Sequence, residues 1–179
     1  ALGSPFPAPT GIVDIGLRLP EGEAAGSALV SADSLGSHAA ELDIALPLTD
    51  RFSIGLGAAF SQQRFIDATR ELARDAAVIA QWRPTDRISL IGFFSLEYTP
   101  REDAGPLYVP VGAVLPPDPP RRRFIGPAWA AGRSTETTAG TVLDWQWGTG
   151  WQLKAGLFRS TLASPRAFSN LMLDVTPDG

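Results

Sequence analysis

The stretch Phe52-Ser53-Ile54-Gly55-Leu56-Gly57-Ala58-Ala59-Phe60-Ser61 alternates with a period of two. Phe52, Ile54, Leu56, Ala58 and Phe60 share one face, and Ser53, Gly55, Gly57, Ala59 and Ser61 share the other. Side chains repeat every two residues only in an extended chain, so this is a strand with one apolar side.

The same period spreads outward in both directions. Leu42, Ile44 and Leu46 oppose Glu41 and Asp43 within His38 to Leu46. From Ile88 to Tyr98, Ile88, Leu90, Phe94, Leu96 and Tyr98 share a face. From Thr137 to Trp147, Leu143, Trp145 and Trp147 oppose Asp144 and Gln146. In Trp151 to Ser160, Trp151, Leu153, Ala155 and Leu157 oppose Gln152, Lys154 and Ser160. Ala68 to Gln81 is rich in helix formers but is flanked by strands, and it is read as a strand too. These runs exceed the usual strand length of about 5–6 residues. They match the roughly 9–11 residues that a tilted strand needs to cross a bilayer.

The connections differ in kind. Pro47-Leu48-Thr49-Asp50, Pro84-Thr85-Asp86 and Gly148-Thr149-Gly150 are built from turn residues and read as tight turns. Gln62 to Arg70 and Pro100 to Arg133 read as longer links, and the second holds eight of the 16 prolines. Tight turns at one end and long loops at the other are the pattern of a membrane barrel. Trp82, Trp145, Trp147 and Trp151 all fall on apolar faces near the tight turns, where an aromatic girdle would meet a membrane interface. The other reading of the alternation is a soluble all-β, sandwich-like binding module with tryptophan in its core.

Composition narrows the classes. The chain has 179 residues, 44% hydrophobic and 19% charged, which excludes global disorder. A net charge of -4 gives no reason to expect nucleic acid. There is no cysteine and a single histidine, His38, so no thiolate or histidine-rich metal site and no disulfide can form. No nucleophile elbow, phosphate-binding glycine loop or zinc-protease helix is present, so no enzyme activity and no cofactor are expected. Glu41, Asp43, Asp75, Gln81, Glu97, Asp144, Gln146 and Lys154 could pass for acid–base machinery, but alternation alone accounts for them as the polar lining of a barrel.

Several segments, in order, resemble TonB-dependent outer-membrane receptors, most closely the siderophore-receptor branch. Pro9 to Pro20, with Gly11-Ile12-Val13-Asp14, resembles the end of that family's plug domain. Asp14 stands where Asn is common there, and Leu17-Arg18-Leu19-Pro20 departs from the usual basic pair. Val30 to Ser37 with Ala40 to Asp43 resembles the first barrel hairpin, and Pro47-Leu48-Thr49-Asp50-Arg51 the first periplasmic turn. Trp82 to Leu90 resembles the second turn, and Arg123 to Ala130 the end of a long extracellular loop.

The resemblance implies an antiparallel, up-and-down transmembrane barrel of about 22 strands around an N-terminal plug. Twenty-two strands of roughly ten residues need about 220 residues before any loop, so the chain reads as a piece. Residues 1–22 would end a plug and 23–179 would supply about seven strands, with an eighth starting near Leu171. It further implies a Gram-negative outer membrane, outer-membrane lipid around the barrel, and a ferric siderophore or similar chelate as cargo. A TonB complex would act through a region N-terminal to this segment. Arg121, Arg122 and Arg123, with Tyr108, Phe124 and Trp129, form the candidate substrate-binding loop, because guanidinium pairs well with carboxylates and catecholates.

Overall fold

The computed structural model describes residues 19, 22–113, 118 and 121–176. The plug-like stretch Pro9 to Pro20, Leu19 excepted, and the domain boundary at residue 22 with it, therefore lie outside or at the margin of the described residues.

Nine strands are described: β1 (Ala25–Ala32), β2 (His38–Thr49), β3 (Phe52–Arg64), β4 (Arg70–Thr85), β5 (Ile88–Asp103), β6 (Pro106–Pro110), β7 (Ala131–Trp147), β8 (Trp151–Arg166) and β9 (Asn170–Val175). Seven of them form one sheet in the order β1-β2-β3-β4-β5-β7-β8, and every neighbouring pair is antiparallel. The protein is all-β, and its main sheet runs up and down. The segment around Ala68 to Gln81 is indeed a strand, β4.

The register keeps apolar residues together across the whole sheet. One transverse row reads Ile44, Leu56, Val78, Phe94. The row at the tight-turn end reads Phe52, Trp82, Leu90, Leu143, Ala155. The turns do not stay level with this row. Trp151, the first residue of β8, lies four residues beyond Ala155. Such a stagger between neighbouring hairpins is what inclined strands produce.

Among the described residues no second layer covers the apolar face. Leu42, Leu56, Trp82, Phe94, Trp147, Trp151 and Leu157 are all among the exposed hydrophobic residues, and Trp151 is 82% exposed. Among the described residues the buried hydrophobic set is Ala73, Ala130 and Val175, and no large side chain is fully buried. A soluble sandwich would cover this face with a second sheet. The described residues contain no such sheet.

Prolines fit the strands of the main sheet because each sits at a bulge. Register shifts fall at Pro47/Thr49, Trp82/Thr85 and Thr99/Glu102, and on β8 between Ala163 and Arg166. Pro47, Pro84, Pro100 and Pro165 lie at or inside these four shifts. Proline has no N–H for the ladder, and a bulge is where the ladder can spare one.

Three connections differ from the sequence expectation. β3 and β4 run further than the alternation showed, so the link between them is only residues 65–69. β5 likewise continues to Asp103, and Pro100 to Asp103 belong to a strand rather than to the loop. A strand does start at Asn170, but it pairs in parallel with β6 and does not extend the main sheet. β6 from the outer loop and β9 from beyond β8 thus form a separate small sheet.

On the polar face, Gly140 makes room for an aromatic ring. It lies between its cross-strand partners Phe93 and Phe158. A Cβ there would lie 2.5 Å from Phe93 Cζ and 2.8 Å from Phe158 Cβ. Gly140→Val should therefore destabilise the fold by about 1–3 kcal/mol through overpacking. Adding Phe93→Ala should recover part of that loss, as read by urea unfolding in detergent.

The first outer turn is closed by Asp33, whose Oδ1 accepts the N–H groups of Leu35 and Ser37 at 2.9 Å each. These bonds, the Ser37 N–H first and its hydroxyl next, favour the ionised carboxylate and hold it below its ordinary value of 3.8. A lowered folded pKa means the turn keeps its full strength above the unfolded value and loses it as pH falls through the folded one. NMR titration should place the Asp33 midpoint below 3.8, and Ser37→Ala should raise it.

Candidate functional site

The candidate loop joins β5 to β7 at the end of the sheet opposite the tight turns. Arg121, Arg122 and Arg123 are exposed there. Arg122 has a left-handed backbone, φ 57°, and its N–H donates to the Ile66 carbonyl at 2.6 Å. This bond moors the basic stretch to the β3–β4 turn. Among the described residues none of the three guanidiniums makes an ion pair, so all three present unneutralised charge.

The aromatic candidates divide. Phe124 is half-buried and folds back on Gly126, where a Cβ would lie 2.5 Å from its ring. Trp129 is 73% exposed and meets Phe168 edge-on at 5.6 Å. Tyr108 sits half-buried on β6, opposite Met172 of β9. The structure thus offers the arginines and Trp129 to solvent, and spends Phe124 on holding the loop.

What supports the loop is Asp103, which sequence reasoning missed. Its side chain is 1% exposed. Its Oδ1 accepts Arg101 Nε at 2.8 Å and lies 2.8 Å from Arg101 Nη2, while Oδ2 accepts the Arg70 N–H at 3.1 Å. One buried carboxylate thereby ties the start of β4 to the end of β5, just below the loop.

The four tryptophans expected to form a girdle lie on the apolar face at the tight-turn end. Trp145 and Trp147 stack at 5.5 Å with their planes 6° apart. Trp147 is the cross-strand partner of Trp151, and Trp82 that of Phe52.

The opposite face gathers acid. Glu41, Ala59, Asp75, Glu97 and Glu136 are successive cross-strand partners in one row. Asp43 lies two residues along β2, and its carboxylate accepts the Ser27 hydroxyl. These residues line a recess of about 490 Å³ that spans β1 to β5 and β7, so the sheet curls toward this face. Neighbouring strands are about 4.8 Å apart, so Asp75, Glu97 and Glu136 stand as like charges opposite one another, an unfavourable pairing. Lys154 is a cation on this face, and it is engaged by Asp144 at 3.6 Å. Among the described residues no three acidic or histidine side chains could hold a metal ion. Leu19 lines an adjoining recess with Asp43, Gly55, Gly57, Ile79 and Phe93, so the chain before β1 reaches this face.

No helix among the described residues is long and apolar enough to cross a membrane, which says nothing about crossing by strands. No protein-family profile, curated protein or solved structure matches the chain.

The Asp103 clasp has a measurable consequence. Asp103→Ala should cost about 1–3 kcal/mol, since two arginine donors lose a buried acceptor. Hydrogen exchange should quicken at the outer ends of β4 and β5, and the tight-turn ends should keep their protection.

Proposed function

We propose that this chain is part of an outer-membrane β-barrel of the TonB-dependent receptor kind, which takes up a scarce chelate such as a ferric siderophore. The observation that carries the barrel is the amphipathic sheet itself. Seven long antiparallel strands hold one continuous apolar face that no described residue covers. On β3 that face runs from Phe52 to Phe60. With a rise of about 3.3 Å per residue and a tilt of about 40°, this spans roughly 20 Å; on β5 it reaches Tyr98 and roughly 25 Å. An outer-membrane barrel has an apolar band of about 25 Å.

The receptor reading is narrower and rests on the ordered motifs that resemble that family, together with the exposed arginine loop. In this reading the acidic face lines the lumen, the tryptophans meet the inner interface, and Arg121 to Arg123 meet the chelate outside. The role is binding and transport, with no catalysis. In the intact receptor a TonB complex would drive entry by acting on the plug.

Expressed in a Gram-negative host, the receptor carrying this segment should stay with the membrane after alkaline carbonate washing and need detergent for release. A monomer that remains in detergent-free buffer and melts cooperatively would overturn the barrel reading. Replacing Arg121, Arg122 and Arg123 by Ala together should weaken binding of ferric citrate or ferric tris-catecholate by about tenfold or more, given charge-assisted contacts. Unchanged affinity for both at low salt would remove the loop from the site and leave the barrel standing.

A further inference from the structure

The register gathers a second set of arginines that are scattered in the sequence. On the apolar side of the sheet, alternation places Arg64 on β3, Arg70 and Arg74 on β4, and Arg133 on β7. Pairing adds the rest. Arg159 is the partner of Ala139, Arg166 of Arg133, and Arg101 of Leu72. Arg64 and Arg70 are themselves cross-strand partners. The shared side of Arg70 and Arg101 is confirmed by Asp103, whose carboxylate reaches both.

Two such pairs are unusual. Like charges directly opposite each other on neighbouring strands are destabilising, and Arg133 faces Arg166 with both exposed. Within the main sheet, Asp103 is the carboxylate on this face, and Arg70 and Arg101 already occupy it. Arg64, Arg74, Arg133, Arg159 and Arg166 make no ion pair among the described residues. The five arginines form a belt of uncompensated positive charge.

Their height along the strands says what they meet. Counted from the tight turns, Arg159 lies eight residues up from Trp151 and Arg74 eleven up from Thr85. At about 2.5 Å of height per residue on inclined strands, these stand roughly 20 and 28 Å above the tight-turn end. Arg64, Arg133 and Arg166 stand higher, at about 30 to 38 Å on the same conversion. The belt thus starts with Arg159 just inside the upper edge of an apolar band of about 25 Å, and its other four members lie beyond that edge. A long guanidinium stem at that edge lies along the apolar surface and lifts its charge into the headgroup layer.

Fourteen of the chain's 15 basic residues are arginine. Arginine offers a planar fork that takes two phosphate oxygens at once, which lysine does not. We propose that this belt docks the phosphate groups of anionic lipid headgroups in the outer leaflet. The inference rests on the barrel reading above and names the lipid chemistry that the outer wall recognises.

The test uses the intact barrel that carries this segment, with phosphatidylcholine vesicles, with and without phosphatidic acid. Two readings are taken: partitioning, and quenching of tryptophan by brominated lipid. The variant replaces Arg74, Arg133, Arg159 and Arg166 by Gln; the control replaces Arg51 and Arg87 at the tight-turn end. All three proteins should show tryptophan quenching in neutral vesicles, which establishes that the sheet still enters lipid. The wild type and the control should prefer phosphatidic acid vesicles. Each arginine near an anionic surface contributes roughly fivefold, so the variant should lose about 100-fold or more of that preference at low salt. Equal preference in variant and wild type, with quenching intact, would overturn the belt and leave the barrel reading standing. Absence of quenching in every vesicle would overturn both. If the variant instead loses self-association in detergent, measured by sedimentation, while keeping its lipid preference, the belt meets the acidic face of another copy and the lipid assignment is wrong.

Discussion

Backbone register is the constraint on which everything else in this molecule depends. Side chains alternate between faces, so a slip of one residue in any strand would move its whole apolar set to the other side. The described residues hold no packed core to correct such a slip, since their buried hydrophobic members are two alanines and a valine. What holds the sheet is the ladder, continuous over six antiparallel pairings. The Phe93–Gly140–Phe158 contact adds a local pin, because the ring fits over Gly140 only when those residues are opposite each other. Asp103 adds another at the outer end, where the ladder is interrupted by a bulge.

Most of the strands were legible in the sequence because period two survives wherever one face meets something apolar. Phe52 to Phe60 and Leu143 to Trp147 show it plainly. The outer ends were not legible, for a physical reason. Above Phe60, Tyr98 and Ala139 the alternation fades, and residues such as Arg74, Glu136 and Arg133 give no contrast between sides. The strands were therefore cut short, and Glu136 was left out of the acidic row. Prolines misled in the same way. Pro100 suggests a loop, yet it sits at a bulge within β5. The parallel pairing of Pro106–Pro110 with Asn170–Val175 joins short segments far apart in the chain, and nothing local encodes it. The Arg121 to Arg123 cluster could be read directly because it is contiguous. The arginine belt could not, since each strand carries only one or two members and only the pairing gathers them.

The two faces divide charge as well as polarity. Carboxylates line up on the polar side as Glu41, Asp75, Glu97 and Glu136. Arginines crown the apolar side. Under the barrel reading, an anionic cargo would be drawn to Arg121 to Arg123 and repelled by the acidic wall below. Capture therefore belongs to the loop, and the wall favours water and cationic groups. The loop's own construction agrees. Phe124 and the Arg122 N–H are spent on anchoring, which leaves the guanidiniums free to meet a ligand.

The edges of the sheet bear on the barrel reading. β1 and β8 each have one neighbour in the main sheet, so along its other side each offers a row of N–H and C=O groups. β8 is 16 residues long and exposed throughout. In water, a long edge beside a bare apolar face is a template for aggregation. In lipid, unpaired backbone groups cost several kcal/mol each, and open sheets do not occur there. Soluble proteins blunt such an edge with inward charges or a covering element. β8 carries Lys154, Arg159 and Arg166, with Pro165 near its outer end, but Leu153 and Leu157 are exposed on its apolar side and no described strand pairs with its free edge. Under the barrel reading, closure by further strands would satisfy the backbone of this edge and keep the apolar face continuous, which neither a second sheet stacked on that face nor solvent would do together.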